Sequence, residues 1–331
     1  MVSYLLIELR KQKKSMSQKN KNIKVIFMGS AEFSVPILVK LIEDFNVQAV
    51  ITEIDKPAGR DKVLVSPPTK IIADKENIPC WQPASLKKNT EILKKIEALS
   101  PDVIIVAAYG KLLPEALLNI PEHGCLNVHP SLLPIYRGPS PIQTALLNGD
   151  KETGVSIMLL DKEMDAGDLL EQKSFKIKET DDYNTLSEKF SMVGAKALSN
   201  LLPTYLEGDV VLETQNDEKA TFCYKISKQS GLIDWAKSAE EINNQLRAYK
   251  KWPGIFSKFN AKKIDVLKAA VADDNETTAR VGEVYKNKKR IFVKCGNGSL
   301  ELLEVKLEGK KQMSIQNFVN GNQAFVGSSL G

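Results

Sequence analysis

Short apolar runs alternate with helical patterns through the first two thirds of the chain. Apolar residues from Val35 to Ile42 recur at helical spacing, which predicts an amphipathic helix. Buried strands are predicted at residues 23–28, 47–51, 101–108 and 155–160. The 101–108 run is apolar on both faces, which is typical of an interior strand in a parallel sheet. This alternation predicts an α/β domain over residues 23–206, built on a Rossmann-like, mostly parallel sheet.

The pattern changes after residue 206. A polar stretch at 207–220 predicts a linker, and Ser238 with Glu241 has the sequence of a capping box at the start of a helix. Short strand-like runs separated by turn residues follow at 256–259, 263–270, 281–284, 291–293 and 300–305. Residues 221–331 therefore predict a small OB-like β-barrel domain. At the other end, the lysine-rich residues 1–22 predict a disordered leader, with Met16 as an alternative start.

Length and composition are those of an ordinary globular protein with room for two domains. The 331 residues are 43% hydrophobic and 26% charged, and no apolar run is long enough to span a membrane. The four cysteines show no paired spacing and follow no secretory signal, so we expect reduced thiols and a cytoplasmic location. A monomer is expected as well.

The net charge of +5 is placed unevenly along the chain. Residues 221–331 hold 19 Lys and Arg against 11 Asp and Glu. This basic C-terminal third predicts a polyanionic partner. The alternative is a lysine-rich surface that only keeps the protein in solution.

One stretch, from Gly124 to Gly138, holds the candidate chemistry. Residues 125–128 predict a short buried strand, and side chains alternate along a strand, so Asn127 and His129 are expected on the same side at its carboxyl end. The amide can hold a carbonyl oxygen as it becomes negative, and the imidazole can move a proton near neutral pH. The pair therefore suits acyl chemistry. The alternative is a helix-capping Asn beside a hydrogen-bonded surface His.

Histidine is scarce in this chain. Only His123 and His129 occur, so a His-rich metal site is excluded and no catalytic metal is expected. A reaction that needs an imidazole has only these two candidates.

Several separate motifs resemble the methionyl-tRNA formyltransferase family, over nearly the whole chain from Ile23. The run from Leu126 to Gly138, continued by Pro141-Ile-Gln143, is similar to the core signature, and Asp161 to Asp168 is similar to the acidic loop. Other folate-dependent formyltransferases and formyltetrahydrofolate hydrolases share both. Two further features narrow the choice. Pro57-Ala-Gly-Arg60 with Ser66-Pro-Pro68 resembles the family's tRNA-acceptor loop, and Ile233-Asp-Trp235 with Trp252-Pro253 resembles its C-terminal domain.

The resemblance implies transfer of a formyl group from 10-formyltetrahydrofolate to the α-amino group of methionine on initiator tRNA. It also implies a role for each of three residues in this chain. His129 is expected to accept a proton from the amine, Asn127 to donate to the formyl oxygen, and Asp165 to stabilise and orient the imidazolium. The folate slot is expected to be lined by Tyr109, Gly110, Ser131, Leu132, Leu133 and Pro134.

Two basic surfaces are expected to meet the tRNA. Their residues are Lys56, Arg60, Lys62 and Arg137 in the first domain and Lys250, Lys251, Lys288, Lys289 and Arg290 in the second. The second group is expected to contact phosphates, which gives affinity that falls with salt and hardly depends on sequence. The loop at 56–62 follows a strand whose carboxyl end lies at the active-site edge, so Arg60 is expected near the acceptor end.

Three other functions stay open. The first is formyl transfer to another amine, such as glycinamide ribonucleotide or an amino sugar nucleotide. The Pro-Ala-Gly-Arg loop and the basic C-terminal third disfavour it, because a small substrate needs neither. A nicotinamide-dependent oxidoreductase is disfavoured because Gly29 is the only glycine of G-x-G-x-x-G in place. A catalytically inert RNA-binding module would leave Asn127, His129 and Asp165 unexplained.

Overall fold

The computed structural model describes residues 18–58, 62–87, 89–272 and 278–331, which form two compact units. The first unit holds the chain up to Pro139 with Glu152–Phe175 and Ser187–Cys223, and the second holds Ser140–Lys151, Lys176–Leu186 and Tyr224–Gly331. The polar segment 207–220 therefore packs with the first unit, and two short segments join the second. The contiguous domain boundaries drawn from the sequence stay a prediction.

The predicted leader is described only in part. Residues 1–17 lie outside the described residues, and Gln18–Asn22 forms a 3-10 helix. Lys21 Nζ donates to the Ile42 carbonyl oxygen at 2.9 Å. Among the described residues, the first regular element is therefore this helix, which covers the last five residues of the predicted leader.

Strands and helices alternate along the N-terminal part as the apolar pattern predicts. The strands are β1 (Lys24–Gly29), β2 (Asn46–Ile51), β3 (Lys56–Ala58), β4 (Val63–Val65), β5 (Cys80–Trp81), β6 (Val103–Ala107), β7 (Cys125–His129), β8 (Glu152–Leu159) and β9 (Leu169–Lys176). The helices are α1 (Ser34–Asp44), α2 (Pro68–Lys75), α3 (Thr90–Leu99), α4 (Glu115–Leu118), α5 (Pro141–Leu147) and α6 (Tyr183–Leu206). Helix α6 ends where the polar segment begins.

The central sheet has seven strands in the order β5-β2-β1-β6-β7-β8-β9. Strand β1 is parallel to both β2 and β6, β6 is parallel to β7, and β8 is antiparallel to β7. All five residues of β6 are buried, as an interior strand covered on both faces requires. The predicted Rossmann-like, mostly parallel sheet is confirmed. The carboxyl ends of β1, β6 and β7 lie at one edge, and that edge positions the site.

The second unit is an antiparallel β domain with helices. Its strands are β10 (Ile255–Phe259), β11 (Lys262–Ala272), β12 (Val284–Asn287), β13 (Arg290–Lys294), β14 (Ser299–Leu307) and β15 (Met313–Ser314), and its C-terminal helices are α7 (Ala239–Ala248) and α8 (Ile315–Gly321). The strands pair in the order β10-β11-β14-β13-β12, with β15 beside β14. Strand β12 begins at Val284, where the predicted strand at 281–284 ends. Gly282, with φ +82°, breaks the extended backbone there.

Local signals explain how this unit is held together. The predicted capping box is present, because Ser238 Oγ accepts from the Glu241 N–H at 3.2 Å and the Glu241 carboxylate accepts from the Ser238 N–H at 2.9 Å. Phe259, Phe318 and Phe325 pack edge to face, with ring centroids 4.9 to 6.3 Å apart. Among the described residues, no helix is both long enough and apolar enough to cross a bilayer.

Candidate active site

Strand β7 carries two polar side chains to the carboxyl-end edge of the sheet. Asn127 pairs with Val106 of β6 on one side and with Met158 of β8 on the other. Because side chains alternate along a strand, Asn127 and His129 lie on the same face. The observed strand is one residue longer than the predicted strand at 125–128, and His129 is its last residue.

The imidazole of His129 is 3% exposed and lies between a carbonyl and a carboxylate. Its Nε2 is 3.1 Å from the Tyr136 carbonyl oxygen. A carbonyl only accepts, so Nε2 carries a proton and Nδ1 is the basic nitrogen of the neutral ring. Nδ1 lies 3.7 Å from Oδ2 of Asp165, beyond hydrogen-bond distance. Burial lowers the pKa of His129 from its usual 6.5, against the opposing effects of Asp165 and the Tyr136 carbonyl. The ring is therefore neutral at pH 7.

Backbone geometry fixes the Asp165 carboxylate. Its Oδ2 accepts from the Gly138 N–H at 2.8 Å. Asp165 has φ +54°, in the left-handed region that Asp tolerates better than most residues. Gly138 has φ +120°, and a Cβ atom there would lie 2.3 Å from the Cys223 carbonyl oxygen, so only glycine fits. The tight packing at Gly138 therefore holds the carboxylate beside the imidazole.

Asn127 supplies the remaining polar group. Its side chain is half-buried, and the described residues provide no hydrogen-bond partner for its amide. The amide NH₂ is thus available to a carbonyl oxygen of a ligand. A half-buried donor, a buried neutral base and a fixed carboxylate together suit nucleophilic attack by an amine on an acyl carbon.

Hydrogen bonds from the buried Ser156 and the half-buried Gln172 hold the backbone of the loop that follows β7. Ser156 Oγ donates to the Ser131 carbonyl at 2.7 Å and accepts from the Leu133 N–H at 3.0 Å, and Gln172 Nε2 donates to the Leu133 carbonyl at 2.8 Å. Ser131 and Leu133 are buried, whereas Leu132 and Pro134 are half-buried. Of these predicted folate-lining residues, Leu132 and Pro134 have surface to offer a ligand. Ser131 and Leu133 shape the loop.

Tyr109 and Gly110 follow β6 at the same edge. Gly110 is exposed, while Tyr109 is 2% exposed, and its buried hydroxyl has no hydrogen-bond partner among the residues that the structure describes. Burial, helped by the charge of Glu53, raises the pKa of Tyr109 to about 12, so the hydroxyl stays protonated. An orphaned buried hydroxyl is a group that a bound polar ligand would satisfy.

The predicted tRNA contacts fall in two places. Strands β3 and β4 form a hairpin, in which Lys56 and Lys62 are exposed and Val63, Leu64 and Val65 are at least half exposed. Arg60 lies outside the described residues. In the second unit the residues Lys250, Lys251, Lys288, Lys289 and Arg290 are all exposed. Arg290 differs from the lysines, because its guanidinium forms a two-point ion pair with Glu301.

Arg137 is buried, whereas the predicted tRNA contact requires an exposed side chain. It is 5% exposed, and its guanidinium donates to Gln215 Oε1 from Nε at 3.1 Å and from Nη2 at 3.0 Å. Nη2 also contacts Asp217 at 2.7 Å. A guanidinium that is buried and hydrogen-bonded in this way has little surface left for a tRNA, so this geometry does not support the prediction for Arg137, which stays a prediction. Its neighbours bury it, a fact that residue type alone does not reveal.

Sequence reasoning also missed contacts to the loops at 136–138 and 165–167. Gln215 of the predicted linker makes some of them, and Thr221 and Cys223, which the sequence assigned to the C-terminal domain, make others. Thr221 Oγ1 accepts from the Tyr136 N–H at 2.9 Å, and the Cys223 N–H donates to the Arg137 carbonyl at 2.8 Å. Gln215 contacts the loop that carries Asp165. The stretch 215–223 has neither helical nor strand periodicity, so nothing in its sequence pattern predicts that these residues contact the two loops.

Comparisons with known proteins identify the family of this chain. Residues 21–202 match the formyl transferase family, and residues 225–323 match the formyl transferase C-terminal domain. The methionyl-tRNA formyltransferase of Caldanaerobacter subterraneus subsp. tengcongensis is 42% identical over 311 residues, covering 93% of this chain and 100% of that protein. That of Bacillus subtilis (strain 168) is 41% identical, covering 93% of this chain and 98% of that protein.

A solved structure shares the fold at much lower identity. HypX from Aquifex aeolicus in complex with tetrahydrofolic acid matches with a TM-score of 0.60 at 14% identity. The match covers 92% of this chain and 48% of HypX, so the chain spans about half the length of that protein. The family itself is shown by the two relatives above 40% identity along nearly the full length: this chain belongs to the methionyl-tRNA formyltransferase family.

Proposed function

We propose that this chain transfers the formyl group of 10-formyltetrahydrofolate to the α-amino group of methionyl initiator tRNA, as a monomer in the cytoplasm, for translation initiation. Family membership supports the reaction. The observation that carries the chemistry is the buried neutral imidazole of His129, whose basic nitrogen faces Asp165 at 3.7 Å on the strand that presents Asn127.

The first half of the reaction needs a neutral amine. Its nitrogen bonds to the formyl carbon, and the carbonyl electrons move onto the oxygen, where the Asn127 amide donates. The attacking nitrogen then gives a proton to Nδ1 of His129, directly or through water. The resulting imidazolium lies between the Asp165 carboxylate and the Tyr136 carbonyl, and both stabilise its charge.

The second half releases the folate. The tetrahedral intermediate collapses, the C=O bond forms again, and the bond from the formyl carbon to N10 breaks. His129 returns its proton to N10, so tetrahydrofolate leaves with a neutral nitrogen and the imidazole is again neutral. One proton therefore moves from the amine to N10, and the cycle consumes no external acid or base.

The residues at the sheet edge fit a folate. The buried hydroxyl of Tyr109 has an unfilled hydrogen-bonding capacity, and Gly110, Leu132 and Pro134 have exposed or half-exposed surface. We assign these four residues to the walls of the folate slot, with Ser131 and Leu133 supporting them from inside.

The tRNA is proposed to meet two lysine-rich surfaces. In the first unit, the β3–β4 hairpin presents Lys56 and Lys62 beside three exposed aliphatic residues. In the second, the lysine pairs at 250–251 and 288–289 are exposed, and their charges suit phosphates. Arg60 is included on the sequence argument alone, and Arg290 is a weaker phosphate contact because Glu301 offsets its charge.

The test is a formylation assay with purified protein and 10-formyltetrahydrofolate. Three acceptors are compared: methionyl initiator tRNA, methionyl elongator tRNA and a dTDP-linked amino sugar. We expect transfer to the initiator tRNA above all, and loss of that transfer in Asn127→Asp, which keeps the size of the side chain and removes the amide donor. Transfer to the amino sugar alone, or to no acceptor, would overturn the proposal.

A further inference from the structure

Gln215 lies in the polar segment between the two family matches, yet it is 7% exposed. Its Oε1 accepts two hydrogen bonds from the Arg137 guanidinium, at 3.1 and 3.0 Å. Its Nε2 donates to the carbonyl oxygens of Asp165 at 2.9 Å and of Gly167 at 2.7 Å. Both lone pairs and both hydrogens of the amide are therefore used.

The orientation of this amide follows from its partners. A guanidinium only donates, and a carbonyl only accepts, so Oε1 must face Arg137 and the NH₂ group must face the 165–167 backbone. A reversed amide would set donor against donor and acceptor against acceptor. The side chain therefore joins two loops in one fixed geometry.

Both loops hold a partner of the catalytic imidazole. Arg137 lies between Tyr136, whose carbonyl binds His129 Nε2, and Gly138, whose N–H binds the Asp165 carboxylate. Asp165 lies on the other loop and receives the Gln215 bond at its own backbone carbonyl. Gln215 thus joins the two loops that hold these partners.

We propose that Gln215 is a positioning residue for formyl transfer, which holds the Asp165 carboxylate beside His129 through the Arg137 guanidinium and the carbonyl oxygens of Asp165 and Gly167. This inference rests on the proposed function. Gln215 touches neither substrate nor reacting atoms in this assignment. Its removal therefore lowers the rate of the chemical step and leaves substrate binding in place. A shift of the carboxylate by about 1 Å is expected to lower kcat by roughly 100-fold.

Two substitutions separate the hydrogen bonds that Gln215 accepts from Arg137 from those that it donates to the 165–167 backbone. Gln215→Glu keeps the size and the acceptors that Arg137 needs, but sets a carboxylate oxygen against the two backbone carbonyls. Gln215→Met keeps the approximate length and removes every hydrogen bond. Asp217→Ala is the matched control, because Asp217 also binds Arg137 but is 80% exposed, and its side chain makes no hydrogen bond to the described residues of the Asp165 loop.

The experiment measures single-turnover formylation of methionyl initiator tRNA, KM for both substrates, and the pH dependence of the rate. Both Gln215 variants should lose about 10- to 100-fold in rate with KM changed less than about threefold. Asp165 is the titratable group that raises the pKa of His129, so a displaced Asp165 lets that pKa fall. The acid limb of the pH–rate profile of both variants should therefore move to lower pH. Asp217→Ala should keep the rate of the unmodified chain. A purely structural role for Gln215 would not move the acid limb.

A double-mutant cycle with Asp165→Asn separates an effect through Asp165 from a loss of rate caused by poor folding of a Gln215 variant. If Gln215 acts through the Asp165 carboxylate, adding Gln215→Glu to Asp165→Asn should cost less than about threefold more. Additive losses, or a Gln215→Glu rate equal to that of the unmodified chain, would overturn the inference. An unmodified chain that fails to formylate methionyl-tRNA would instead overturn the proposed function, so the two failures are distinguishable.

Discussion

Replacing Gly138 by Ala tests whether backbone packing sets the catalytic geometry. The new Cβ atom would lie 2.3 Å from the Cys223 carbonyl oxygen. Carbon–oxygen contacts in proteins rest at about 3.3 Å, so the two segments must separate by about 1 Å. That shift acts on the Gly138 N–H, which holds the Asp165 carboxylate at 2.8 Å. A displacement of this size is expected to lower kcat by about 100-fold.

Stability should fall as well, and a control separates the two effects. Overpacking costs roughly 1–3 kcal/mol, and the left-handed backbone adds about 1–2 kcal/mol for a residue with a Cβ atom. Gly208 has φ +84°, and none of the described residues has an atom within 4 Å of the position that a Cβ would take there. Gly208→Ala therefore carries the backbone strain without the clash. It should lower the free energy of unfolding by about 1 kcal/mol and leave kcat unchanged.

The assay is single-turnover formylation at saturating folate and tRNA, with urea unfolding measured on the same preparations. We expect Gly138→Ala to lose rate at unchanged folate affinity, and Gly208→Ala to lose only stability. A Gly138→Ala rate equal to that of the unmodified chain would refute the role of this close packing. Equal losses of rate in the two variants would show that strain, and not the displaced Asp165, lowers activity.

Other substitutions probe the remaining groups. His129→Ala should lower turnover by about two to four orders of magnitude, whereas His123→Ala should matter little. Because burial lowers the pKa of His129, the neutral base persists below pH 6.5, and the fall in kcat that His129 causes at saturating substrate should lie below pH 6.5. Asp165→Asn should depress kcat at nearly intact folate affinity, and a loss confined to folate binding would contradict its role. Replacing Lys288 and Lys289 by Ala should reduce the slope of log affinity against log salt by about 1.8, equally for all tRNAs, and an unchanged slope would remove them from the interface.

The parts of the fold that local pattern specifies were predictable. The β6 run is apolar at every position, so its place inside a parallel sheet follows from the sequence. The strand that carries Asn127 and His129 was predictable for the same reason, since glycine and proline bound it and alternation places both side chains on one face. The capping box at Ser238 likewise depends on neighbours within one turn.

The supports of the site depend on contacts between distant segments, which pattern does not encode. Arginine is seldom buried without a partner, so a surface contact was the natural expectation for Arg137. Its burial depends on Gln215, 78 positions further along the chain. Gln215 in turn lies in a polar stretch with the composition of a linker. Its role follows only once Arg137 and the Asp165 backbone are seen on its two sides.

The most direct test of the chemistry is the single-turnover rate of formyl transfer from 10-formyltetrahydrofolate to methionyl initiator tRNA, by the unmodified chain and by Asn127→Asp. The proposed mechanism places the Asn127 amide on the formyl oxygen as it becomes negative. The substitution should therefore lower the rate by about 100- to 1,000-fold while folate and tRNA still bind. An Asn127→Asp rate within about threefold of that of the unmodified chain would contradict an oxyanion role for Asn127, and with it the assignment of this edge of the sheet as the site of formyl transfer.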